Sequence, residues 1–196
     1  RDKVVVEQAK KNGVKWFCGS EDDVLSRYYC AAKENDLDVV VRVTSDCPLI
    51  DPEILDNVVD FYMSNNYTLV TNAGINFEQR TFPRGLDVEV FSFSMLEYAF
   101  NNAQKSYQRE HVTPYLYETY FDSIYYYKND VDYSNFRWTL DTDEDYALIS
   151  AIYDRLYKKY GSNFGLYEVL ELMKSNPELS MINAHVQQKS WFIINK

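Results

Sequence analysis

One segment limits the fold more than any other: Val39-Val40-Val41-Arg42-Val43, four of whose five residues are valine. A near-continuous β-branched run, without alternation, suits a parallel strand covered on both faces. A short loop follows, and Asp51-Pro52 then opens a helix. The acid caps it, and the proline occupies the first turn, where no amide hydrogen is needed. Ile54, Leu55, Val58, Val59 and Tyr62 form its inward stripe. A covered strand followed by an amphipathic helix is the unit from which α/β sandwiches are built.

The rest of the chain repeats the alternation. Residues 4–11 read as a helix stopped by Gly13 and 14–17 as a short strand, and Ser20 is placed to cap a helix striped by Val24, Leu25, Tyr28, Tyr29 and Ala32. Strands are expected at 67–71, 86–91, 124–128 and 136–140, with a polar loop over 74–85. Helices are expected at 93–105, 110–120, 143–160 and 165–174. The helix at 143–160 has Thr142 as its cap, Asp143, Glu144 and Asp145 at its positive end, Lys158 and Lys159 in its last turn, and Gly161 as its stop. The pattern predicts a single α/β domain over 1–196, a three-layer α/β/α sandwich on a mostly parallel mixed sheet.

Composition narrows the function classes. With 46% hydrophobic residues the chain can bury a core, and no apolar run approaches the roughly 20 residues of a membrane span. Thirty acidic against 20 basic side chains, a net charge of -10, oppose binding to nucleic acid, which requires neutralised phosphates. Cys18, Cys30 and Cys47 are odd in number and lack metal-ligand spacing, which points to a reducing, cytoplasmic setting.

Ligands of such sheets bind beyond the carboxyl ends of the strands. Asp46 lies three residues past the valine-rich strand, and Asp141 directly follows 136–140. Paired carboxylates there suit Mg²⁺ carrying a nucleotide, since this ion prefers one or two carboxylates plus phosphate oxygens and water. The alternative is that both acids only order loops. Arg42, Arg80, Arg84, Arg109 and Arg137 fall in a stretch holding only two lysines. Their planar forks suit carboxylate or phosphate; singly, each arginine can instead pair with an acid such as Asp87, Glu89 or Glu110. His111 stands near ligand-facing loops, whereas His185 and Cys47 read as structural.

Six stretches carry a further signal: GSEDDVLSRYY (19–29), VVVRVTSDCPLIDPEI (39–54), RTFPRGLDVEVFS (80–92), REHVTPYLYE (109–118), RWTLDTDEDYALI (137–149) and NPELSMINAHVQQK (176–189). Together, and in this order, they resemble the cytidylyltransferase-like family of spore coat polysaccharide biosynthesis protein F, within the superfamily of CMP-KDO and CMP-sialate synthetases. The resemblance implies a Rossmann-like nucleotidyltransferase fold and transfer of a cytidylyl group from CTP to a sugar, usually an acidic one, with release of pyrophosphate. It also implies Mg²⁺ held by Asp46 and Asp141, with Arg84 beside them in catalysis. Gly19, Ser20, Arg42 and Ser45 would face the nucleotide, and Arg84, Asp87, Glu89, Arg109 and His111 the acceptor. A homodimer is a further expectation.

This sequence departs from the family pattern in three places. Ser45 stands where glycine is usual before the aspartate, and Cys18 where arginine is common before Gly-Ser. The glycine- and arginine-containing phosphate loop that opens the family, R-x-G-S-x-R-L-P-G-K, has no counterpart, so the first βα unit is expected to be missing from these 196 residues. Two other readings stay open: a non-catalytic sugar- or partner-binding module, or a glycosyltransferase using Asp141-Thr142-Asp143 as a metal-binding D-x-D.

Overall fold

Capping chemistry sets most element boundaries in the computed structural model, which describes residues 2–187. The chain divides into two compact units, Arg1–Val40 with Phe91–Phe121 and Val41–Val90 with Asp122–Lys196. Four short strands, β1 (Val39–Arg42), β2 (Leu69–Thr71), β3 (Glu89–Ser92) and β4 (Ile124–Tyr126), form one sheet in the order β1-β3-β2-β4. β2 and β4 run parallel, with Leu69 opposite Ile124 and Thr71 opposite Tyr126. Strands alternating with helices give the expected α/β class.

The first unit is mainly helical. α1 (Lys3–Lys11) ends in a Schellman motif: the Gly13 amide, at φ +68°, bonds Lys10 O, and the Val14 amide bonds Ala9 O. Residues 14–17, expected as a strand, pair with none among the described residues; Val14 and Trp16 are about half exposed. α2 (Val24–Glu34) is capped by Asp23, which accepts from the Ser26 amide at 2.9 Å. Ser20, expected in that role, instead accepts from the Asp23 amide at 3.1 Å and so braces the turn before the cap. α4 (Phe93–Asn102) packs on α2, and Tyr29 stacks on Phe100 with ring centroids 4.2 Å apart.

The helix expected over 110–120 is two helices, α5 (Ser106–His111) and α6 (Pro114–Thr119). Between them Val112 adopts φ +73°, ψ -58°, and the Thr113 amide bonds His111 O at 2.9 Å. This is a classic-type γ-turn, a rare and strained form made rarer by a buried β-branched residue. Pro114 restarts the chain as a helix because N1 needs no amide hydrogen.

The second unit carries the sheet's centre, with α3 (Pro52–Ser64), α7 (Asp143–Tyr160) and α8 (Leu166–Ser175). Leu69, Val70, Val88 and Val90 are fully buried, as is Ile152 of α7. Coverage on both faces belongs to β2 and β3; in β1, at the sheet edge, Val41 remains 38% exposed.

Asp51 joins two helices of this unit. Its Oδ1 accepts from the Glu53 and Ile54 amides of α3, while Oδ2 accepts from the Leu166 amide at the start of α8. Gly165 is glycine because a Cβ there would lie 2.2 Å from Asp51 Oδ2. Losing a cap costs about 0.5–2 kcal/mol, and stranding a buried amide costs about 1–3 kcal/mol more. Asp51→Ala is therefore expected to destabilise by about 3 kcal/mol in urea titration. A loss below about 1 kcal/mol would sink the double-cap account.

Candidate active site

After β1 the chain turns tightly at 44–47, where the Cys47 amide bonds Thr44 O at 3.2 Å. Asp46 sits in this turn, half-buried. Thr44 Oγ1 donates to its Oδ1, and Thr139 Oγ1 lies 3.1 Å from both its Oδ2 and its backbone oxygen. The Leu140 amide also donates to Asp46 O, at 2.9 Å. The turn is thereby fastened to the two residues that precede Asp141, so carboxylates far apart in sequence reach adjoining backbone. Cys47 is a packed thiol: burial, together with the Asp87 charge, pushes its pKa up to about 11.

The stretch 136–140, expected as a strand, makes only one bridge among the described residues. Arg84 pairs in parallel with Arg137, through the Arg84 amide to Phe136 O at 3.0 Å and the Trp138 amide to Arg84 O at 2.7 Å. No ladder follows, because the segment leaves Arg84 to meet Asp46. The bridge sets two guanidinium-bearing residues side by side, with Arg80 near. Burial lowers the Arg84 pKa, and the charges of Arg80 and Arg137 lower it further against Asp87 and Asp141.

Some arginines take up the individual pairings open to them. Arg80, 4% exposed at its side chain, grips Asp87 through two bonds of 2.7 and 3.0 Å. Arg42 pairs with buried Glu89 at 2.5 Å. Asp87 and Glu89 thus orient arginines within the second unit. Ser45, next to Asp46, is exposed.

Asp141 opens the approach to α7. Arg137 Nη2 donates to its Oδ2 at 2.8 Å, and its side chain stays 42% exposed. Arg137 is itself forked onto Asp145, Nε to Oδ1 at 2.9 Å and Nη2 to Oδ2 at 2.7 Å. Asp145 is fully buried. Burial alone would raise its pKa, but bonds from Arg137, Asn183 and the Asp141 amide outweigh it and hold the carboxyl at about 2. Asp143, in the first turn of α7, is exposed.

The other sequence candidates belong to the first unit. Gly19 and Ser20 are exposed. Arg109 clamps its own unit together: Nε and Nη2 bond Asp23 at 3.0 and 2.6 Å, Nη1 bonds Phe100 O at 2.7 Å, and the guanidinium lies 4.9 Å from the Phe100 ring centroid. Its partner is Asp23 and not the adjacent Glu110. His111 is half-buried at the entrance to the γ-turn.

Sequence reasoning missed Thr44, Thr139, Asp145 and Asn183. Asp145 had a readable signal: Thr142-x-x-Asp145 has the spacing of a capping box, and both of its reciprocal bonds form. Asn183 reaches Arg137 O and Asp145 Oδ1 from 46 and 38 residues away, which no local pattern announces.

No helix among the described residues is long and apolar enough to cross a membrane. Against known proteins, the chain matches the cytidylyltransferase family model over residues 2–177. It is 38% identical to an uncharacterized protein of Methanocaldococcus jannaschii, covering 97% of this chain and 75% of that protein. It is 27% identical to spore coat polysaccharide biosynthesis protein SpsF of Bacillus subtilis, over 90% of this chain and 72% of the relative. A solved cytidylyltransferase from Leptospira borgpetersenii serovar Hardjo-bovis superposes with a TM-score of 0.84 at 38% identity, covering 96% of this chain and 76% of that one. The family model spans the Asp46 turn, the Arg84–Arg137 bridge and Asp141 alike, and on that match the chain belongs to the cytidylyltransferase family.

Proposed function

We propose that the protein transfers the cytidylyl group of CTP to a hydroxyl of an acidic sugar in polysaccharide biosynthesis. Family membership and the likeness to SpsF support the reaction class. The observation that carries the site is the bond from the Leu140 amide to Asp46 O, which ties the turn of one acid to the residue before the other. The donor set fits Mg²⁺: two carboxylates leave the remaining positions to phosphate oxygens and water, as this ion prefers. Asp46 and Asp141 would hold it, and its chemistry there is to neutralise phosphate charge and orient the leaving pyrophosphate.

The acceptor oxygen bonds the α-phosphorus in line, the bond to the β-phosphate oxygen breaks, and the hydroxyl proton passes to water. Thr44 and Thr139 fix the Asp46 carboxylate, and Arg137 fixes that of Asp141. Arg84, crowded by Arg80 and Arg137, is assigned to an anionic group of the substrates. Ser45 lies exposed beside Asp46 and is assigned to the nucleotide.

The test is pyrophosphate release by the full-length protein from CTP and Mg²⁺ across a panel of acidic and neutral sugars, with ATP, GTP and UTP as controls. Turnover with CTP and an acidic sugar is expected. Sugar binding without turnover on any nucleotide would favour a binding module of the same fold.

A further inference from the structure

Asp145 is saturated. Its Oδ1 accepts from Arg137 Nε and Asn183 Nδ2, and its Oδ2 from Arg137 Nη2 and the amides of Asp141 and Thr142. A carboxylate with five N–H donors and no exposed surface offers nothing to a ligand of its own. It does fix where Arg137 points. With the fork of the guanidinium taken by Asp145, Nη2 also donates to Asp141 Oδ2. Among the described residues no hydrogen bond reaches Asp141 Oδ1.

Asn183, 3% exposed, completes the arrangement by bonding both Asp145 Oδ1, at 2.8 Å, and the backbone oxygen of Arg137, at 2.9 Å. The amide of Asp141 is meanwhile held by the same carboxylate that holds Arg137. Backbone and side chain of Asp141 are thus set by one buried group.

We infer that Asp145, locked by Asn183, is the positioning residue that presents Asp141 to a divalent cation, acting through Arg137. The inference rests on the reading that Asp141 holds the metal of the cytidylyl transfer. Without the charge of Asp145, Arg137 loses the fork that orients it and the Asp141 amide loses its acceptor, so the Asp141 carboxylate, paired with Arg137 as before, is no longer held in one place for the cation. Groups that orient metal ligands from behind typically affect metal affinity by about 10–100-fold.

The experiment measures Mn²⁺ dissociation constants by electron paramagnetic resonance, on the full-length protein with CTP and no acceptor sugar. Asp145→Asn should weaken Mn²⁺ by about 10–100-fold and Asn183→Ala by about tenfold, the lower end of that range. Thermal melts accompany each measurement, because a purely structural role would lower the melting temperature while the folded protein kept its Mn²⁺ affinity. If Asp145→Asn does not fold, Asn183→Ala decides. Asp141→Asn runs in parallel. If Asp141→Asn weakens Mn²⁺ and the folded Asp145 and Asn183 variants do not, the positioning inference is overturned and the metal reading stands. If Asp141→Asn leaves Mn²⁺ binding unchanged, the metal reading falls and the inference falls with it.

Discussion

Asp46→Asn is expected to slow pyrophosphate release from CTP by about three orders of magnitude. A bound divalent ion supplies several kcal/mol of transition-state charge stabilisation, and each 1.36 kcal/mol is a factor of about ten in rate. Asparagine keeps the size of the side chain and one carbonyl acceptor, so the bond from Thr44 or from Thr139 survives while the anionic ligand is lost. The backbone bond from Leu140 to Asp46 O does not depend on the side chain, so the turn should persist.

Asp141→Asn should fall by a similar factor, with some added effect from the loss of its ion pair with Arg137. Because both acids would serve one ion, the double variant should be little worse than either single one. A coupled pyrophosphate assay measures all three, with circular dichroism checking the fold. Rates within tenfold of the parent in both single variants would remove these residues from the chemistry.

Gly85→Ala is the substitution expected to damage stability most. Gly85 adopts φ +103°, where side chains are strained, and a Cβ there would lie 2.5 Å from both the carbonyl carbon and the oxygen of Trp138. Those are backbone atoms and cannot rotate away. Adding a left-handed penalty of about 1–2 kcal/mol to an overpacking cost of about 1–3 kcal/mol gives roughly 3 kcal/mol or more. For a chain of this size that is a fall in melting temperature of about 6–12 °C.

Gly161→Ala supplies the control. Gly161 also has a positive φ, of +60°, but nothing lies within 4 Å of the position its Cβ would take, so only the conformational cost of about 1 kcal/mol should appear. Equal losses at the two sites would mean that the close approach to Trp138 carries no weight.

At two helix starts one local side chain was enough. Thr142 caps α7 and Asp51 caps α3, each from its expected position, because the capping bond closes within three residues. Expectation failed where partners were needed. Residues 14–17 have strand-like composition but, among the described residues, no strand beside them. Residues 136–140 divide their bonds between Arg84 and Asp46, so one bridge forms instead of a ladder. The break at Val112 was hidden because valine is among the last residues a turn with positive φ would select.

The candidate site shows the same division. Asp46 and Asp141 announce themselves by following extended segments, and Arg84 by its place in an arginine-rich stretch. What orients them did not: Thr139 and Asn183 gain their roles only when chain segments tens of residues apart meet.

The bond between the Asp46 turn and Leu140 has a consequence for how the protein tolerates heat. Its two acids are 95 positions apart, so the unfolded chain holds them in no fixed relation and has no equivalent binding site. Any ion–nucleotide pair bridging them would therefore bind the folded chain alone, and at about 100 times its dissociation constant it would add about 2.7 kcal/mol to the unfolding free energy. Thermal tolerance would then follow the supply of nucleotide, rising when the site is filled and falling when it is starved.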